Sequence, residues 1–63
     1  MSYDNFLFEI EVFLRKHNLS ATQFGALAVG DTKFVRTVRQ GRRPREKTQA
    51  AVRRFMRSFR GRR

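Results

Sequence analysis

The sequence predicts an all-α fold, a compact bundle of about four helices, and three observations carry that prediction. Apolar residues recur along the chain at the three- and four-residue spacing of a helix with one buried face. Residues that start and stop helices separate four such stretches. At 63 residues, with no internal repeat and no interdomain linker, the chain suffices for a single domain spanning 1–63.

Each element can be justified in turn. Ser2 is a plausible N-cap, and Tyr3, Phe6, Leu7, Ile10, Phe13 and Leu14 follow as one wide buried face. The first helix should end near Lys16 or His17, with Asn18 as a left-handed stop. Phe8 and Val12, four residues apart, fall on the opposite side. Two explanations stand side by side for them, a dimer or partner contact and packing under the C-terminal helix.

Ser20 is suited to cap the second helix, because its hydroxyl accepts an otherwise orphaned backbone N–H. Phe24, Leu27 and Ala28 form its inner face, and Gly25 marks a close approach to the next helix. Glycine inside a helix costs about 1 kcal/mol relative to alanine, so close packing accounts for it. Gly30 supplies the positive φ of a turn. Asp31 then caps a third helix from about Thr32 to Gln40, where its charge suits the helix dipole. Phe34, Val35 and Val38 are the apolar side of that helix, and Gly41 ends it.

Arg42 and Arg43 make a basic loop, and Pro44 is expected to start the last helix with its pre-set φ. Thr48, Val52, Phe55, Met56 and Phe59 complete the core, while Arg45, Lys47, Arg53, Arg54, Arg57 and Arg60 point elsewhere. Residues 61–63 form a basic tail. The second helix, the turn and the third helix, about residues 20–40, read together as a helix-turn-helix, whose second helix can lie in the major groove of DNA.

Charge points the same way. Fifteen Lys and Arg stand against five Asp and Glu, a net charge of +10. Residues 1–14 hold Asp4, Glu9 and Glu11 and no base, a net of −3, and the remainder carries +13. Such asymmetry predicts an acidic, apolar end for protein contacts and a basic body for a polyanion. Extra charge that serves only solubility is the bland alternative.

Other classes are disfavoured. With no cysteine and His17 as the single histidine, little is left for a metal site or histidine-based catalysis, and no catalytic constellation or cofactor motif is visible. The expectation is a non-enzymatic protein without cofactor. No apolar run approaches the ~20 residues of a membrane span, and the basic n-region of a secretory signal is missing. A cytoplasmic, nucleoid-associated protein is expected.

A recognition helix needs side chains that reach base edges on one face and apolar anchors on the other. Lys33, Arg36 and Thr37, with Thr32 at the helix start, can share the groove-facing side. Arginine can hold guanine O6 and N7 with two parallel hydrogen bonds, discriminating by roughly 1–3 kcal/mol, and threonine can touch a thymine methyl. Arg36 is the leading base reader; a solvated or phosphate-bound arginine is the plain alternative. Ser20, Thr22 and Gln23 at the start of the second helix are expected on phosphate. Arg39, Gln40, Arg42, Arg43 and Arg45 would track the adjacent strand. With about six phosphates neutralised, affinity should fall about a thousandfold between roughly 50 and 200 mM salt.

The segment Leu19–Pro44 resembles the helix-turn-helix of the Cro and phage-repressor (XRE-like) family, found in proteobacteria, their phages and mobile elements. The resemblance rests on Leu19-Ser20, Phe24-Gly25, Val35, Val38 and Gly41-Arg42-Arg43-Pro44. It departs at Ala21, where the family often has a phosphate-contacting Gln, and at Val29-Gly30, which reverses the usual turn order. The resemblance implies a sequence-specific transcriptional regulator, expected as a repressor of its own or a neighbouring promoter. Two copies would bind half-sites about one helical turn apart. The competing expectations are a protein-interaction module acting on RNA polymerase or a recombinase through the Phe-rich first helix, and a nonspecific nucleic-acid binder.

Overall fold

The computed structural model describes residues 2–59, with side chains from residue 5 onward. Four helices make up the fold: α1 (Ser2–His17), α2 (Ala21–Val29), α3 (Phe34–Arg39) and α4 (Glu46–Ser58). No strand occurs among the described residues, so the all-α expectation holds. The expected cap at Ser2, the apolar Tyr3 and the basic stretch from Arg60 to Arg63 lie outside the described side chains.

Three helices end at a residue in left-handed conformation: Asn18 (φ 55°) after α1, Gly30 (φ 72°) after α2 and Gly41 (φ 109°) after α3. Each turn recovers carbonyls that a helix end would orphan. Leu19 N–H donates to the Leu14 carbonyl at 2.9 Å, Asp31 N–H to Gly25 at 3.1 Å, and Arg42 N–H to Thr37 at 3.0 Å. In the first, both leucines are buried, which seals the helix end with an apolar contact.

The core takes one face from every helix. Phe6, Ile10, Phe13 and Leu14 of α1 meet Phe24 of α2, Phe34, Val35 and Val38 of α3, and Val52 of α4, with Leu19 from the first joint. Half-buried Leu7, Phe55, Met56 and Phe59 pack against them. Phe13, Phe24, Phe55 and Phe59 stack tilted or edge-on with ring centroids 5.3–6.1 Å apart, the geometry that ring quadrupoles favour. His17 joins the cluster edge-on to Phe59 at 4.9 Å.

Gly25 explains the spacing of α2 and α3. A Cβ there would overlap the Asp31 carbonyl oxygen and stand 3.3 Å from the Phe34 Cβ. The same Asp31 bonds the Gly25 carbonyl through its N–H, so the turn is folded directly onto the glycine.

Four expectations need correction. Leu27 is 56% exposed, not part of the inner face. The inward stripe of α2 is Ala21, Phe24, Gly25 and Ala28, and Leu27 stands about 160° round the helix from Gly25. The third helix is shorter than Thr32–Gln40. Phe34 N–H bonds the Asp31 carbonyl at 3.1 Å, which winds Thr32 and Lys33 into a tight turn ahead of α3. Asp31 still caps that turn, its carboxylate accepting from Lys33 N–H at 2.9 Å. Pro44 precedes α4 rather than starting it, because Arg45 is extended (ψ 158°) and serves as N-cap. The Gln49 amide satisfies the Pro44 carbonyl at 2.8 Å. Arg53, expected to point away, is half-buried over the Phe6 ring at 5.2 Å. No helix among the described residues is long and apolar enough to cross a membrane.

Candidate nucleic-acid interface

α3 is anchored from below and offers its other side to solvent. Phe34, Val35 and Val38 are buried, while Arg36 and Arg39 are exposed. Gln40, one turn on from Arg36, is also exposed on that side, and Thr32 and Lys33 are exposed in the turn that leads into the helix. Thr37 differs from its expected companions. It is half-buried, and its hydroxyl donates to the Phe34 carbonyl at 2.8 Å within its own helix. That bond occupies the hydroxyl proton and leaves an apolar contact as its role toward a ligand.

The cations divide into two sets. Arg39 forms a forked ion pair with Glu11 of α1, at 2.7 and 2.9 Å. This hydrogen bonding holds the Glu11 carboxyl below its ordinary range, against the opposing effect of desolvation, and raises the Arg39 guanidinium in turn. Arg53 of α4 pairs with Glu9 at 3.0 and 3.5 Å. Two of the three acids near the N-terminus thus tie α1 to α3 and α4 rather than standing free for a partner. Lys33, Arg36 and Arg42 have no such neutralising carboxylate among the described residues, and neither do Lys16, Arg45, Lys47, Arg54 and Arg57.

The residues expected on phosphate fall at three places. Ser20 and Gln23 form a capping box on α2: the Ser20 hydroxyl accepts from Gln23 N–H and the Gln23 side-chain oxygen from Ser20 N–H, both at 3.0 Å. Thr22 beside them is exposed. Gln40, Arg42, Arg43 and Arg45 lie exposed along the α3–α4 joint. Arg39 is committed to Glu11 and reaches a phosphate only by leaving it.

The residue-by-residue pattern does not single out a groove along α4, lined by Arg43, Pro44, Glu46, Gln49, Ala50, Arg53, Arg54 and Arg57, in which Glu46 offsets part of the arginine charge. Its signal was present in the arginines recurring at three- and four-residue spacing around small Ala50. Phe8 and Val12 do not tuck under α4, which removes one of their two explanations: they are 67% and 46% exposed. Comparison with protein-family models, with curated proteins and with solved structures gives no match.

Proposed function

We propose that this chain is a sequence-specific regulator that binds double-stranded DNA, with α2, its turn and α3 acting as a helix-turn-helix and α3 laid in the major groove. The observation that carries the reading is the division of cations. The fold neutralises Arg39 and Arg53 with its own acids and leaves Arg36 on α3, and Lys33 and Arg42 at its two ends, exposed and without an ion pair. α3 spans six residues, about 9 Å, so it offers few side chains to base edges. Arg36 is central among them and takes guanine by a forked contact; Lys33 and Thr32 lie one turn earlier, and Thr37 contributes a methyl. Gln40, Arg42, Arg43 and Arg45 hold the backbone on one side, and Ser20, Thr22 and Gln23 at the start of α2 on the other. Occupancy of a promoter by such a protein represses it by exclusion.

Selection from a random duplex pool at about 150 mM salt, where nonspecific binding is suppressed, tests this. The expected result is an enriched sequence. Arg36→Ala should then weaken binding to it by about tenfold or more and relax preference at one base pair. Equal loss on every sequence would make Arg36 a phosphate contact. No enrichment at all would overturn the regulator reading. It would favour nonspecific nucleic-acid binding, a second reading supported by the arginine groove along α4.

A further inference from the structure

α4 carries a cationic surface that a duplex seated on α3 leaves unused. At about 100° per residue, Lys47, Ala50, Arg54 and Arg57 fall within an arc of about 80° on its outer side. All four are exposed, and the three cations form no ion pair among the described residues. Small Ala50 opens the groove between the longer side chains. Glu46 stands in the first turn and Arg53 is taken by Glu9, so the positive end of the groove lies at Arg54 and Arg57.

This surface does not face the way α3 does. Glu9 and Glu11 flank the buried face of α1 from either side, about 200° apart round that helix. Glu11 reaches Arg39 of α3, and Glu9 reaches Arg53 of α4. α2 packs against both α3 and α4. The two helices therefore lie on opposite flanks of α1, with their solvent sides turned apart.

We infer that the α4 groove is a second, sequence-blind site for the phosphate backbone of duplex DNA, so that one molecule bridges two duplex segments, one at α3 and one at α4. The bridging rests on the proposed function of α3; the groove itself does not. Guanidinium groups meet phosphate oxygens in forked hydrogen bonds. The large apolar side chains exposed among the described residues are Phe8, Val12 and Leu27, none of them on α4. The groove thus lacks the wedge that a lipid surface takes and the anchor on which a protein interface is built. Phe55 and Phe59 are engaged in the aromatic cluster, so no ring is free to stack unpaired bases. What remains is positive charge spread over about 15 Å of helix from Lys47 to Arg57, suited to the regular phosphates of a duplex.

A bead assay tests this. Duplex DNA of about 15 base pairs, some one and a half turns, is fixed to beads, loaded with the full chain, and offered a labelled duplex of unrelated sequence. The parent chain should carry the label onto the beads at about 50 mM salt, and Arg54→Gln with Arg57→Gln, loaded equally, should carry about tenfold less or lower still. No capture by the loaded parent, or undiminished capture by the double variant, would refute the groove. Loading of the double variant separates the two sites: loading near the parent's shows that the first duplex is held elsewhere, whereas a variant that no longer loads would leave the groove as the sole DNA site and refute bridging. Unlabelled duplex DNA should displace the label better than duplex RNA or anionic phospholipid vesicles; a better competitor among these would overturn the assignment to DNA. Far-ultraviolet circular dichroism establishes that the double variant is folded.

Discussion

Gly25→Ala is the sharpest test of how α2 and α3 are joined, because helix propensity and packing predict opposite signs. In an isolated helix the change stabilises by about 1 kcal/mol. Here the new methyl would overlap the Asp31 carbonyl oxygen, a backbone atom that cannot swing aside. To make room, the turn must give up two hydrogen bonds, Asp31 N–H to Gly25 and Phe34 N–H to Asp31, both 3.1 Å. Each is worth about 1 kcal/mol net. Crowding against the Phe34 Cβ, 3.3 Å away, adds an overpacking cost of about 1–3 kcal/mol. Less the propensity gain, the expected loss is roughly 2–4 kcal/mol. A domain of this length has only about 3–9 kcal/mol in total.

Urea denaturation followed by circular dichroism at 222 nm measures the effect. The midpoint should fall by about 2 M or more for a slope near 1 kcal/mol/M. Gly30→Ala is the matched comparison: its Cβ would meet open space, but φ is 72°, which costs an L-residue about 1–2 kcal/mol. The expected order of damage is therefore Gly25→Ala above Gly30→Ala. If Gly25→Ala were as stable as the parent, the turn would yield cheaply, and Gly25 would not set the distance between the helices.

Three further outcomes are expected. The Glu11 carboxyl is held below its ordinary value in the folded chain, so its pair with Arg39 contributes stability that is present above the unfolded-state value and lost as pH falls through the lowered one. Glu11→Gln should flatten the acid limb of the stability–pH curve by well under about 1 kcal/mol, because the pair is solvent-exposed; an unchanged limb in urea melts would remove the pair from the account. Phe24→Ala deletes a ring with no exposed surface at the centre of the aromatic cluster, at a cost of about 3–5 kcal/mol, and should leave the chain largely unfolded by circular dichroism at 25 °C. Leu27→Ser should shift the thermal midpoint little, within about 0.5 kcal/mol, since the side chain is already mostly in water; a large loss would return Leu27 to the core.

Where a feature depends on residues within one turn of each other, the chain displayed it openly. The Ser20 cap and the left-handed stops at Asn18, Gly30 and Gly41 are local chemistry, and the apolar faces of α1 and α3 follow from spacing; the return bond of Gln23 to Ser20, which completes a capping box, is seen only in the structure. What escaped depends on distant partners. Leu27 and Ala28 look alike in an apolar run, and the choice between them is made by Gly25 lying against Asp31 and Phe34. The start of α3 escaped because the Asp31 carbonyl draws Phe34 N–H into a tight turn, which composition cannot distinguish from the first turn of a helix. The pairs Glu11–Arg39 and Glu9–Arg53 cross 28 and 44 residues of chain, so no local pattern announces them. They bear directly on the candidate interface, since they separate Arg39 from Arg36 despite identical side chains one turn apart.

The three left-handed joints have a consequence for how quickly the molecule assembles. Each of the first three helices carries its own terminator, and each chain reversal is closed by a bond reaching back only five or six residues. Little entropy is spent on closing loops before neighbouring helices touch. Bundles wired so locally cross their rate-limiting barrier within microseconds to milliseconds, and no proline-isomerisation phase should follow a brief unfolding jump. The core of a newly made copy is therefore complete almost as soon as the last ring of its aromatic cluster, Phe59, can reach Phe13.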